Sequence, residues 1–138
     1  MMLSLLYSME SFASCAIQSV TGVSFGAYIP TVATADDSSG NIKVSCTILG
    51  IFTTSLSTGS SNTYNPRTLK SGSNTLNYNL YTNSNRTTIW GNGSQGTSTL
   101  TSILVLSSIN LPVYGRIPAL QDVSVGSYTD NIIITVNF

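Results

Sequence analysis

The chain has 138 residues, a length that fits one domain with a single core. Five basic and five acidic side chains give a net charge of zero, and charged residues make up only 7% of the sequence, against about 25% in an average globular protein. This balance, without a basic patch, excludes the usual nucleic-acid-binding classes. Ser, Thr, Asn and Gly interleaved with Val, Ile, Leu and Tyr are typical of an extracellular or periplasmic β-protein.

Residues 1–14 have two interpretations. An apolar stretch followed by the small residues Ala13 and Ser14 resembles the tail of a secretory signal, although Glu10 lies near its end and no basic start precedes it. Alternatively, a period of two predicts a strand, with one face formed by Leu3, Leu5, Tyr7 and Met9. The sequence therefore predicts a signal remnant or a short N-terminal extension, followed by a domain over residues 15–138. No apolar run reaches the ~20 residues that a membrane-spanning helix requires.

Cys15 and Cys46 are the only cysteines. Two free buried thiols are one interpretation, because a free cysteine behaves as a small hydrophobe. A disulfide is the other, and an even cysteine count in an exported chain favours it. Their spacing fits no metal site and the chain contains no His, so no metal is predicted.

Short segments of alternating polarity, separated by turn residues, follow one another along the chain. The predicted strands cover residues 23–28, 41–48, 53–58, 67–70, 76–81, 88–90, 100–111 and 112–118. Residues 34–40, which contain Asp36 and Asp37, are predicted as a solvated loop. Turn signals at intervals of about 8–12 residues predict a β-sandwich or barrel with about eight strands.

Residues 126–138 contain the strongest strand pattern of the chain. One face is apolar and consists of Ile132, Ile134, Val136 and Phe138, and β-branched residues dominate it. No sequence remains after this strand to pair with it. In a two-sheet sandwich its open edge would then need a neighbour from elsewhere.

Two further features bear on function. The segment containing Ile48, Leu49, Ile51 and Phe52 is either core at a strand junction or an exposed apolar contact surface. Catalytic patterns are lacking: there is no His, the acids are dispersed, and no nucleophile or phosphate-binding motif occurs, so neither an enzyme nor a cofactor is predicted. Asp130 is predicted to have a structural role, as a turn cap or as a partner of Arg116 or Arg67.

Several motifs occur in one order along the chain: F-G-A-Y at 25–28, G-N-I-K-V-S-C at 40–46, L-S-T-G at 56–59, R-T-L-K-S-G at 67–72, L-N-Y-N-L-Y-T at 76–82, I-W-G-N-G at 89–93, V-Y-G-R-I-P at 113–118 and G-S-Y-T-D-N-I-I-I-T-V-N-F at 126–138. In this order they resemble the spore coat protein U domain family, which includes subunits of archaic chaperone–usher pili. The resemblance implies an incomplete immunoglobulin-like β-sandwich that lacks its final strand, with Cys15 paired to Cys46. It also implies export through the periplasm to the cell surface, and as partners a periplasmic chaperone, an outer-membrane usher and neighbouring subunits. The next subunit would supply the missing strand by β-strand addition.

Two departures from the family pattern shape the functional expectation. If residues 1–14 are removed, the subunit can receive a strand but not donate one, which would place it at a pilus tip; if they are retained, Leu3, Leu5, Tyr7 and Met9 would be the donor residues. Residues 48–52 are more apolar than the Gly-rich turn usual there, so they are predicted as an adhesive loop. The expected function is a structural or adhesive pilus subunit. The alternatives are a standalone secreted coat or matrix protein of the same fold and a small carbohydrate-binding module.

Overall fold

A computed structural model describes residues 2–8, 15–47, 49–104 and 107–138. These residues form nine strands and one short 3-10 turn, Gly59–Ser61. The strands are β1 Met2–Ser8, β2 Cys15–Thr21, β3 Asp36–Cys46, β4 Gly50–Leu56, β5 Arg67–Ser71, β6 Asn74–Tyr81, β7 Leu100–Leu104, β8 Ser108–Ile117 and β9 Thr129–Asn137. Within these described ranges, no helix has the length and apolar character needed to cross a bilayer.

Strands β2 to β9 form the two sheets of a sandwich, and every pairing among them is antiparallel. One sheet has the order β2-β3-β8-β6, and the other contains β7-β4-β9 with β5. Strand β6 joins the two, because its first half pairs with β5 and its last residues pair with β8. Side chains from both sheets, such as Ile42, Val113, Phe52 and Ile134, share one buried core. The predicted all-β sandwich is confirmed.

The alternation predicted for the last strand holds along most of β9. Ile132, Ile134 and Val136 are buried, as is Asp130 at the same face, whereas the residues between them face outward. The exception is Phe138, which follows the end of β9 and is 49% exposed. Its predicted place on the buried face is therefore wrong, because the strand ladder that would hold it there stops at Asn137.

Two strand predictions need correction. Residues 23–28 form a single bridge instead of a strand: Val23 and Phe25 are buried, but Gly26 turns the backbone with a φ of 72°. Residues 88–90 make only isolated bridges, from Ile89 to Tyr81 and from Trp90 to Ser98. In both segments, apolar packing produced a strand-like pattern without a continuous ladder.

Two boundaries also differ from the prediction. The predicted loop at 34–40 instead contains the start of β3, because Asp36–Gly40 pair with β8. The predicted strand at 100–111 belongs to two strands, β7 and β8, which lie in different sheets. Pro112 lies within β8, beyond the residues that pair with β6, where its missing N–H is tolerated.

Candidate strand-acceptor site

Strand β9 is paired on both edges. Strand β4 pairs with β9 from Leu56↔Ile134 to Thr53↔Asn137, and Ser57 continues that register through a backbone N–H bond to the carbonyl of Ile133. Strand β1 pairs with β9 over residues that overlap this stretch. Because a strand has only two edges, β1 occupies the edge opposite β4. This is the edge predicted to need a neighbour.

The β1–β9 pairing is parallel, in contrast to every other strand pairing between named strands of the described chain. Its register runs from Met2↔Thr129 to Ser8↔Thr135. The three predicted donor residues within β1 lie opposite buried positions of β9: Leu3↔Asp130, Leu5↔Ile132 and Tyr7↔Ile134. Met9, the fourth, lies outside the described residues.

A buried carboxylate connects the start of β9 to the rest of the fold. Oδ1 of Asp130 accepts hydrogen bonds from the backbone N–H groups of Ser60 and Asn131, each at 2.9 Å, and Oδ2 accepts one from the hydroxyl of Tyr78. Burial, together with the carboxylate of Asp130, raises the pKa of Tyr78 well above its usual value. The neutral phenol therefore remains the donor. Asp130 acts as a structural anchor that ties β9 to β6 and to the 3-10 turn.

A fully buried guanidinium lies beside this anchor. Arg67 donates to the carbonyl oxygen of Ser57 from Nε at 3.0 Å and from Nη2 at 2.7 Å, to that of Trp90 at 2.7 Å, and to Oδ1 of Asn79 at 3.0 Å. Its guanidinium also lies 5.2 Å from the ring centre of Tyr64. Desolvation lowers the pKa of Arg67, but each contact favours the charged form. Arg67 therefore links the backbone carbonyl groups of Ser57 and Trp90 to β5, the strand that Arg67 begins.

Of the two structural roles predicted for Asp130, the turn cap is confirmed, because its carboxylate accepts a hydrogen bond from the backbone N–H of Ser60. The alternative is not: no ion pair joins Asp130 to Arg116 or Arg67 in the described part of the chain. Among the described side chains, Arg116 instead pairs with Asp37, with its Nε 2.7 Å from Oδ1. The hydrogen bond from Arg116 holds the pKa of Asp37 below its usual value. Asp37 thus belongs to a surface ion pair on β3 and β8 and not to a solvated loop.

The two cysteines form a disulfide between the first two strands after the N-terminal segment. Cys15 on β2 lies directly opposite Cys46 on β3, and both are buried. The disulfide fixes the start of β2 against β3. It also anchors the chain immediately after residues 9–14.

Three exposed apolar side chains lie at one end of the β4–β7 ribbon. Leu49 is 63% exposed, Ile51 is 62% exposed, and Ile103 is 73% exposed, with Ile51 and Ile103 directly paired across the two strands. We call these three residues the apolar end. Phe52, predicted to belong to the same surface, is only 1% exposed, because alternation along β4 turns it into the core.

The structure thus divides the predicted adhesive segment. Leu49 and Ile51 are on the surface, Phe52 is in the core, and Ile48 lies outside the described residues. Ile103 was missed, because its segment was assigned to one long buried strand. The signal that could have identified it is the pair Ser107 and Ser108, which interrupts the apolar run at the point where β8 begins.

The strands define a two-sheet, all-β sandwich in which an N-terminal segment pairs with the edge of the C-terminal strand opposite β4. The sequence model of the Spore Coat Protein U domain matches residues 2–135, and the chain belongs to this family. The resemblance predicted from the ordered motifs is confirmed. Protein U of Myxococcus xanthus is 30% identical over 145 residues, which cover 91% of this chain and 78% of that protein.

A solved structure has the same fold. It is the complex of the chaperone CsuC with the tip adhesion subunit CsuE, a pre-assembly complex from archaic chaperone–usher Csu pili of Acinetobacter baumannii. The similarity has a TM-score of 0.65 at 24% identity and covers 90% of this chain. This chain spans only 39% of the matched chain of that complex, and at this identity the similarity concerns the fold.

Proposed function

We propose that this protein is a subunit of a secreted chaperone–usher pilus and that the edge of β9 opposite β4 receives a strand from a neighbouring subunit. Its partners would be a periplasmic chaperone, an outer-membrane usher and other subunits. The pilus-subunit complex that shares its fold supports this assignment. The protein would pass through the periplasm and act at the cell surface.

One observation carries the proposal. Among the described strands, β2 to β9 form the sandwich by antiparallel pairing, and one edge of β9 is left for a segment from outside that arrangement. Without such a segment, the backbone edge of β9 and part of the Ile132 and Ile134 side chains would be exposed to water. Exposing apolar surface costs about 25 cal/mol per Å². An added strand supplies main-chain hydrogen bonds and covers this surface.

The apolar end gives the proposed subunit a surface for adhesion. Ile51 and Ile103 are paired across β4 and β7, Leu49 lies immediately before β4, and all three are largely exposed. Contiguous apolar groups on a protein surface mark contact sites. In a subunit at the pilus tip, this end would contact hydrophobic material.

A second candidate function is a standalone coat or matrix protein. The observation that favours it is the placement of Met2–Ser8 against β9, since this segment closes the sandwich within one chain. A closed monomer would not need a strand from a partner. The two candidates differ in whether β9 contacts another subunit at the cell surface.

Site-specific crosslinking from β9 tests the proposal. Asn131, exposed on β9, is replaced as Asn131→Cys and labelled with a photoactivatable maleimide in material extracted from the cell surface. The pilus assignment predicts a ladder of linked subunits whose crosslinked peptides include the edge of β9. The matched control Ser39→Cys, on the exposed face of the other sheet, should give a much weaker ladder. Monomers alone from both variants would contradict pilus assembly and favour the standalone coat protein.

A further inference from the structure

We propose that a cavity at the start of β3 binds a small aliphatic ammonium group, and that Asp36 recognises its charge. The cavity has a volume of about 160 Å³ and is formed by residues 27–36. It lies at the opposite end of the sandwich from the apolar end, because β3 begins here and finishes at Cys46, shortly before β4. Among the described residues, none that lines the cavity belongs to β9 or to the apolar end. The inference therefore goes beyond pilus assembly and adhesion.

A tight turn forms the apolar rim of the cavity. The backbone N–H of Val32 donates to the carbonyl oxygen of Ile29 at 3.2 Å, so residues 29–32 form a β-turn. Pro30 occupies the second position of this turn, where its ring presets the required backbone angle. Ile29 and Val32 both line the cavity and are 57% and 40% exposed. A ligand that enters from solvent therefore meets aliphatic side chains first.

The ring of Tyr28 provides a fixed aromatic wall. Its hydroxyl donates to the carbonyl oxygen of Pro118 at 2.7 Å and accepts a hydrogen bond from the backbone N–H of Gln121 at 3.0 Å. These two bonds hold the ring in place and use the hydroxyl hydrogen. The aromatic face remains as the group that this side chain can offer to a ligand, and such a face attracts positive charge.

Asp36 supplies a carboxylate without a partner. It is the first residue of β3, and its backbone is in register with Ile117 on β8. Its Oδ2 is buried and has no hydrogen-bond partner within the described part of the chain. Asp37 differs, because alternation along β3 turns it outward to Arg116. Burial and the neighbouring carboxylate of Asp37 raise the pKa of Asp36, so a cation bound in the cavity would stabilise the ionised form.

Together these walls define the class of ligand. Burying a charge without a partner is costly, and an ammonium forms a strong charge-assisted hydrogen bond with a carboxylate. Ile29, Val32 and Ala35 would contact the carbon chain of the ligand. A dry cavity of about 150 Å³ accommodates benzene, so a cavity of this size suits an amine with about four or five carbons. Both free alkylamines and the side chain of lysine have this chemistry.

NMR titration of the isotopically labelled full chain tests the site. The probe is n-butylammonium chloride, and amide chemical shifts are followed. We expect saturable changes at Tyr28, Val32 and Asp36, with a Kd of about 1 mM for a ligand with so few atoms. n-Butanol keeps the carbon chain but lacks the charge, so it should bind at least about tenfold more weakly. Equal binding of the two compounds, or no saturable binding, would overturn the proposal.

Two neighbouring carboxylates provide a matched pair of variants. Asp36→Asn should weaken binding of n-butylammonium at least about tenfold, because the amide cannot pair with the charge. Asp37→Asn is the control: Asp37 does not line the cavity, so binding should be unchanged. Thermal unfolding without ligand shows whether each variant is folded, and Asp36→Asn should be at least as stable as the parent, since it removes an unpaired charge. Equal weakening in both folded variants would contradict a specific role of Asp36.

A second ligand identifies the source of the ammonium group. Nα-acetyl-lysine methylamide carries the same charge on a peptide backbone. If it binds as tightly as n-butylammonium, the site accepts a lysine side chain of another protein. If only n-butylammonium binds, the site accepts free amines. If neither compound binds to the folded parent protein, the ammonium site is wrong, whereas the pilus assignment is tested separately by crosslinking from β9.

Discussion

Gly59 lies so close to the carboxylate of Asp130 that a β-carbon on Gly59 would overlap Oδ2. The carboxylate cannot easily move away, because it accepts hydrogen bonds from the backbone N–H of Ser60 and from the hydroxyl of Tyr78. Gly59 also has a φ of +70°, a left-handed conformation that favours glycine. The 3-10 turn therefore packs directly on the anchor of β9, and this contact depends on the missing side chain.

The first prediction concerns this contact. Gly59→Ala should lower the free energy of unfolding by about 2–5 kcal/mol, because the left-handed conformation costs about 1–2 kcal/mol and overpacking adds about 1–3 kcal/mol. Urea unfolding measures the loss. In the control Gly72→Ala, φ is +59° but no atom lies within 4 Å of the new β-carbon, so only the backbone cost of about 1–2 kcal/mol is expected. Equal losses in the two variants would show that Asp130 does not restrict Gly59.

The second prediction concerns the buried guanidinium. Arg67→Lys should cost about 2–4 kcal/mol, because a single ammonium cannot supply the planar set of donors and buried acceptors would remain unpaired. The acceptors at risk are the carbonyl oxygens of Ser57 and Trp90. Thermal and urea unfolding measure the effect. Arg116→Lys is the matched control: its partner Asp37 lies at the surface, so the expected loss is at most about 1 kcal/mol. A small loss for Arg67→Lys would mean that the hydrogen bonds of the guanidinium contribute little to stability.

Local sequence patterns predicted those parts of the fold in which buried and exposed side chains alternate regularly along a strand. The alternation around Ile132 and Ile134 predicted both the strand and its buried face, and the ordered motifs predicted the family and the disulfide of Cys15 with Cys46. These features depend on neighbours in sequence or on a recognisable order. They could therefore be read without knowing which strands pair.

Features created by pairing between distant segments could not be predicted in the same way. Asp37 was predicted as a loop residue because nothing near it in the sequence indicates that Arg116 lies opposite it on β8, the neighbouring strand in the sheet. Ile103 became part of a surface only through its pairing with Ile51. Phe52 was assigned to that surface because the start of β4, and hence its alternation, was not evident from an irregular apolar run.

The third prediction concerns alkaline pH. Burial raises the pKa of Tyr78 above its unfolded value of about 10, so the neutral phenol is favoured in the folded state. The stability that this provides is complete below about pH 10 and is lost as the pH rises above that value. Tyr78→Phe should be less stable at about pH 8, because Asp130 loses a donor, yet its stability should fall less between about pH 9 and about pH 11.

Urea unfolding at several pH values measures this difference. Tyr81→Phe serves as the comparison, because burial also raises the pKa of Tyr81 but its side chain is less completely enclosed. Its effect on the pH dependence should be smaller than that of Tyr78→Phe. Identical pH profiles for the parent protein and Tyr78→Phe would show that ionisation of Tyr78 does not limit stability at high pH.

The fourth prediction separates adhesion from folding. Ile51→Thr/Ile103→Thr removes most of the apolar end but keeps β-branched side chains, so the free energy of unfolding should change by at most about 1 kcal/mol. Attachment of the purified protein to an alkyl-coated surface should fall several-fold. Val125→Thr is the control: Val125 is fully exposed but lies on the loop before β9, so attachment should be unchanged.

The buried neighbour Phe52 provides the converse test. Phe52→Thr should lower the free energy of unfolding by about 3–5 kcal/mol, because it removes a large side chain from the core and buries a hydroxyl. Its effect on attachment should follow the loss of folded protein, whereas that of Ile51→Thr/Ile103→Thr should appear in fully folded protein. If the folded double variant still attaches as strongly as the parent, the apolar end is not the adhesive surface, and Leu49 alone or another face must be responsible.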